Sequence, residues 1–196
     1  GIPPLVAGLG SATLDQIAAA IMTTDTFPKL EARTGTAGGV GYTINGIAKG
    51  AGMIRPNMAT MLAFIVTDAA VDPQWLDRVF RRANDTSFNA ITVDGDMSTN
   101  DTAIIMANGA AGNPVLSEGS EGAAEFAALL EEVLLSLAKL IVKDGEGATK
   151  FVEVTVKGAR SDADAKRAAM AVANSCLVKT AFFGQDANWG RIFAAV

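Results

Sequence analysis

From Leu5 to Met22, alanine, leucine and isoleucine recur at helical spacing, and the run Thr23-Thr24-Asp25-Thr26-Phe27-Pro28 ends that helix, because proline biases its predecessor toward extended geometry. Polar side chains therefore collect at a helix-to-strand junction. Gly38 to Ile47 alternates loosely through Val40, Tyr42 and Ile44, while Thr60 to Thr67 is a continuous apolar run too short for a typical helix, so both predict strands. Asp72 before Pro73 is a cap and first-turn pair for a helix through about Ala83, and Gly122 to Val142 is a long amphipathic helix stopped near Gly145. Lys150 to Gly158 alternates Phe151, Val152, Val154 and Val156 among polar residues and predicts another strand. Ser161, with Asp164 three positions later, resembles a capping box that opens a helix to about Ser175, and Leu177 to Phe183 reads as a final strand. Ile91 to Val93 and Ala103 to Met106 look like a hairpin pair. That pairing favours an α+β layered sandwich of mixed β-sheets with flanking helices over a doubly wound parallel sheet.

Composition narrows the class. In 196 residues, 49% of them hydrophobic, there is ample material for a substantial core. The net charge is −5, and the 16 basic residues are scattered singly, which argues against nucleic acid or an anionic membrane as partner. There is no run of about 18 apolar residues, and Gly1-Ile2-Pro3-Pro4 lacks the features of a signal peptide. A cytoplasmic protein is expected, and a start at Gly1 in place of methionine suggests processing or trimming. The single cysteine, Cys176, excludes an intrachain disulfide and a cysteine-based zinc site, and its neighbours predict a packed, buried thiol. The chain has no histidine, which removes Ser-His-Asp and Cys-His mechanisms together with imidazole metal ligands. Proton transfer must then use a carboxylate, a lysine, a tyrosine or an amino terminus.

The glycines at 35, 38, 39, 41, 46, 50 and 52 match neither a P-loop nor a dinucleotide fingerprint and read as tight turns. Asp94, Asp96 and Asp101 lack the rest of a calcium-loop pattern, so a polar turn without metal is expected. More informative is Ala48-Lys49-Gly50-Ala51-Gly52-Met53-Ile54-Arg55-Pro56-Asn57-Met58-Ala59-Thr60-Met61-Leu62, where small and polar residues lead directly into an apolar strand. Such a junction can expose one hydroxyl at the strand's start. The residues alone leave open a plainer reading, in which Thr60 is a β-branched strand residue and Lys49 a solvated surface charge.

That segment resembles the autocleavage signature of the ornithine acetyltransferase family, bifunctional glutamate N-acetyltransferases that cleave themselves before an Ala-Thr-Met-Leu threonine and then use it as the nucleophile. Five further blocks carry the resemblance in order: residues 20–29, Ile91-Thr92-Val93-Asp94-Gly95-Asp96, Ser98-Thr99-Asn100-Asp101-Thr102, Asp144-Gly145-Glu146-Gly147-Ala148-Thr149-Lys150, and residues 181–191. The resemblance implies that the Ala59–Thr60 bond is broken. Residues 1–59 would then be the end of an α-chain and residues 60–196 the start of a β-chain, together the central part of one fold. It also implies acetyl transfer from N-acetylornithine to glutamate through an acetyl-threonine in arginine biosynthesis, with acetyl-CoA as a second possible donor and no cofactor.

The same resemblance makes Thr60 the acetyl acceptor, with Thr26 and Lys49 at the substrate and Glu146 near the substrate's amino end. An N-terminal threonine carries its own base, an α-amino group of reference pKa about 7.7 to 8.0, which suits a chain without histidine. Lys49 can pair with a carboxylate and Glu146 with an ammonium, so the charges suit an amino-acid substrate. Taken singly, Glu146 reads as a loop charge and Thr26 as a turn hydroxyl. Family members extend beyond both ends of the chain, and their oxyanion-forming Thr-Gly pair is expected upstream of Gly1. Assembly as a heterotetramer of α/β pairs is implied for the full-length protein. The alternatives are a self-cleaving amidohydrolase or aminopeptidase of the same nucleophile type, in which water replaces glutamate, and an inactive fragment that keeps only the fold's core.

Overall fold

In the computed structural model, which describes residues 2–55, 61–96 and 101–196, the apolar run Leu62–Thr67 (β3) lies inside a four-stranded sheet. The sheet order is β1 (Lys29–Ala37), β2 (Val40–Lys49), β3, β4 (Thr102–Ala107); β1–β2 and β2–β3 are antiparallel and β3–β4 is parallel. The parallel pair needs a crossover, and α3 (Pro73–Thr86) supplies it. The mixed sheet with flanking helices is the α+β class expected from the sequence. Among the described residues it is a single sheet.

One face of that sheet carries α4 (Ala123–Lys143), which packs on β1, β2 and α3. Its Phe126, Leu130, Val133, Leu134, Leu137, Ala138 and Ile141 are all fully buried and share one side of a 3.6-residue period. Opposite them, Ala63, Ile65 and Thr67 alternate inward along β3. Burying each large apolar side chain stabilises the fold by about 1.5–3 kcal/mol, so this layer is the principal source of stability. Close helix-on-sheet contact also explains a glycine: a Cβ on Gly46 would lie 2.8 Å from both Leu137 Cδ1 and Val133 Cγ1. Gly46 and Gly35 therefore stand within strands, against the expectation of turns, whereas Gly38 and Gly39, with φ of 57° and 78°, form the β1–β2 hairpin turn.

Capping decides several helix ends. Asp72 accepts the Trp75 amide at 2.8 Å and starts α3, and Ser161 accepts the Asp164 amide at 3.1 Å and starts α5 (Asp162–Asn174), as the sequence predicts. The expected Leu5–Met22 helix is two short ones, α1 (Ile2–Ala7) and α2 (Leu14–Ala20), because Gly10 adopts a φ of 78° and Thr13 opens α2 with a capping box.

Three other expectations need correction. Leu177–Phe183 lies in a helix, α6 (Cys176–Phe183), capped by Ser175, and it is followed by α7 (Trp189–Ala195). Cys176 is accordingly exposed in the first turn of α6, not buried at a strand. Lys150–Gly158 forms no strand: Phe151 and Val152 are exposed, and no described strand offers a ladder to complete the pairing. Ile91–Val93 is likewise not a strand, and Ala103–Met106 within β4 takes its partner from β3.

Candidate active site

The strand register brings one end of the sheet together. Lys29 opens β1 opposite Ala48; Lys49 closes β2 opposite Leu62, and Leu62 lies beside Thr102 at the start of β4. Met61 and Asp101, the residues just before these two strands, are thereby joined: the Met61 amide donates to Asp101 Oδ1 at 2.8 Å. Burial pushes the Asp101 carboxyl up, opposed by the Met61 amide and the Lys49 charge. Ala59 and Thr60, the expected cleavage pair, lie outside the described residues.

Behind this edge sits a buried ion cluster. Lys29 Nζ donates to Asp25 Oδ1 and Asp144 Oδ2, each at 2.6 Å, and all three side chains are at most 2% exposed. The ammonium also stands 4.9 Å from the Phe27 ring centroid. Asp25 Oδ1 accepts the Gly50 amide at 2.7 Å and its Oδ2 the Thr23 amide at 3.2 Å. Asp144, which ends α4, accepts the Thr26 amide at 3.0 Å on Oδ2 and the Thr26 hydroxyl on Oδ1. Desolvation pushes both carboxyls up, yet it is outweighed: hydrogen bonds from Gly50, Lys29 and Thr23 hold Asp25 below its ordinary value, and those from Lys29 and Thr26 do so for Asp144. Lys29 thus fills the space between two carboxylates that another cation could otherwise occupy. The ammonium ties the turn that carries Asp25 and Lys29 to the end of α4, and Asp25 adds Gly50, just after β2, to the same cluster.

The sequence-predicted substrate residues surround this cluster. Lys49 is 7% exposed, which excludes the solvated-charge reading, and its Nζ reaches Thr23 Oγ1 at 3.5 Å. Thr26 is exposed, with its hydroxyl turned onto Asp144. Glu146 lies two residues beyond Asp144; its amide donates to Ala51 O at 2.8 Å, and its exposed side chain lies over Gly52. Glu146 lines a cavity of about 390 Å³ with Val93, Lys150 and Lys179, while Met61 and Asp101 line another of about 410 Å³. The loop between them is pinned by Asp94, whose Oδ2 accepts the Met53 amide at 2.6 Å and whose Oδ1 accepts the Ile54 amide at 3.1 Å.

Sequence reasoning passed over Asp25, Lys29 and Asp144. Asp25 and Lys29 stand four apart in a polar run, but Asp144 is 115 residues from Lys29, and no local pattern predicts that a lysine opening a strand will be fully buried. Gly52 gives a direct test of the Glu146 contact, since a Cβ there would lie 2.8 Å from Glu146 Cδ and 2.9 Å from Oε1. The clash is with the end of a flexible side chain. Gly52→Ala should therefore keep the fold while displacing Glu146, with KM for an amino-acid substrate raised roughly tenfold, or about 1.4 kcal/mol. Steady-state kinetics beside circular dichroism check this outcome.

Comparison with known proteins places the chain in a family. The chain is 97% identical over all 196 residues to the arginine biosynthesis bifunctional protein ArgJ of Geobacter sulfurreducens, covering 50% of that protein. It is 56% identical over 182 residues, 91% of this chain and 45% of the relative, to the mitochondrial ArgJ protein of Candida tropicalis. The chain thus spans about half the length of the curated relatives it matches. A crystal structure of the ArgJ protein of Bacillus halodurans aligns with a TM-score of 0.66 at 46% identity, over 67% of this chain and 62% of that one. The ArgJ family model matches residues 1–196, and the chain belongs to the ArgJ family.

Proposed function

We propose that this chain is the central part of a glutamate N-acetyltransferase that cleaves itself between Ala59 and Thr60 and carries the acetyl group on Thr60. One observation carries the reading: Lys49 is buried at the end of β2 and paired with Leu62, two positions after Thr60, with the Thr23–Lys29 turn and Glu146 held around the same edge. A buried cation beside a loop that bears a carboxylate suits a substrate with an α-carboxylate at one end and an ammonium at the other.

In this reaction the Thr60 hydroxyl first attacks the Ala59 carbonyl and the peptide C–N bond breaks, which leaves an ester on Oγ1 and frees the Thr60 amine; water then hydrolyses that ester, releasing the Ala59 carboxylate and restoring the Thr60 hydroxyl. That amine takes the hydroxyl proton as Oγ1 attacks the acetyl carbonyl of N-acetylornithine; the amide C–N bond breaks and ornithine leaves with the proton. The amine of glutamate next attacks the acetyl-threonine, and the ester C–O bond breaks to restore the hydroxyl. Lys49 holds the α-carboxylate common to both substrates, and Glu146 meets the ornithine ammonium. Residues 1–59 belong to the α-chain and 60–196 to the β-chain of α/β pairs assembled as a heterotetramer in the cytoplasm, and acetyl-CoA serves as an alternative acetyl source. No helix among the described residues is long and apolar enough to cross a membrane.

The test is steady-state kinetics on the cleaved protein at the relatives' full length. Varying N-acetylornithine at several glutamate concentrations should give parallel double-reciprocal lines, with the acetyl-enzyme discharged faster by glutamate than by water. Intersecting lines would contradict the covalent route, and discharge by water at the same rate would make the enzyme a hydrolase.

A further inference from the structure

We infer that Thr26 meets the substrate as a hydrogen-bond acceptor and reads an N–H on the acetyl-bearing nitrogen, because its one hydroxyl proton is committed to the buried Asp144. The inference rests on the placement of Thr26 at the substrate under the proposed function. A threonine hydroxyl has a single proton and two lone pairs, whereas an ionised carboxylate only accepts. Asp144 Oδ1 is bonded to Thr26 Oγ1, so the proton lies on the threonine and points inward. Lys29 Nζ at 2.6 Å from Asp144 Oδ2 keeps that carboxylate charged, and Asp25 Oδ1 holds the same ammonium in place from its other side at 2.6 Å.

The cluster behind the hydroxyl is closed to solvent, while Thr26 itself is exposed, so what remains available to an incoming molecule is lone-pair density. A chain running from ammonium through carboxylate to hydroxyl also polarises the outer oxygen and makes it a better acceptor. A substrate carboxylate would find no proton there and is left to Lys49. The group that fits is the nitrogen common to both half-reactions: the amide N–H of the acetyl donor, then the amine of the acceptor. Asp25, Lys29 and Asp144 are positioning residues in this account, since they fix which way one hydroxyl points without touching substrate.

The cleaved, full-length protein tests this with N-acetylornithine and its oxygen isostere, the acetate ester in which that N–H is replaced by oxygen. Intrinsic reactivity cancels when each variant is compared with wild type on the same compound. Thr26→Val should lower kcat/KM for the amide about tenfold more than for the ester, and Thr26→Ser, which keeps the hydroxyl, should restore the wild-type ratio. Equal losses on both compounds would overturn the inference while leaving the acetyl-threonine route intact, as would a Thr26→Ser ratio that matches Thr26→Val. Wild-type protein that forms no acetyl-threonine from either compound would overturn the proposed function, and this inference with it.

Discussion

Lys29→Met is expected to lower the free energy of unfolding by about 3–5 kcal/mol at neutral pH, the typical cost of removing one partner from a buried ion group. The side chain volume is nearly kept, so the loss is electrostatic: Asp25 and Asp144 would be left as two buried carboxylates without their shared ammonium. The pH dependence should change sign along with it. In the wild type both carboxyls are held below their ordinary values, so their contribution is present above the unfolded value of about 3.9 and is lost as the pH falls through the lower native values. Without Lys29 the same carboxyls are raised by burial and mutual repulsion, and the penalty is relieved as acid protonates one of them. Urea denaturation should therefore find the wild type losing stability below about pH 4, and Lys29→Met gaining stability as the pH is lowered from 7 toward 5. A variant with unchanged stability at both pH values would show that the cluster contributes nothing net.

Thr60→Ala should leave the Ala59–Thr60 bond intact and reduce acetyl transfer by on the order of 10⁴-fold or more, because nucleophile and base are lost in one substitution. Alanine has no hydroxyl to attack the preceding carbonyl, and without cleavage no α-amino group is released to act as the base. Thr60→Ser keeps the oxygen and should process, though more slowly. Gel electrophoresis of the full-length protein separates these outcomes, and efficient cleavage of Thr60→Ala would remove threonine from the mechanism. Folding should survive, since stability rests chiefly on the layer of α4 packed against β1, β2 and α3.

Long periodic elements and caps were legible in the sequence because their signals are local. Gly122 to Val142 predicted α4 within a residue at each end, and Asp72-Pro73 gave the start of α3. Short apolar runs were ambiguous. Leu177–Phe183 has the composition of a strand, but its buried positions, Val178 and Ala181, are three apart, and the Ser175 cap carries the decision. β1 went unseen because Thr34, Gly35 and Thr36 weaken its alternation; β2 supplies the ladder that defines it. For the candidate site, the motif blocks singled out Thr26, Lys49 and Glu146 as the residues to inspect, whereas the ion cluster that connects their segments depends on contacts across more than a hundred residues. Such contacts arise from the register of β1 against β2 and from where α4 stops, and neither is written in any local stretch.

The central claim is that Thr60 carries the acetyl group, and mass spectrometry of the acid-quenched, full-length protein after incubation with N-acetylornithine measures it directly. The account predicts a β-chain that begins at Thr60, a single added acetyl on its N-terminal peptide located at the threonine, and loss of that acetyl when glutamate is supplied. An uncut chain that transfers acetyl at full rate, or an acetyl group found on any residue other than Thr60, would contradict it.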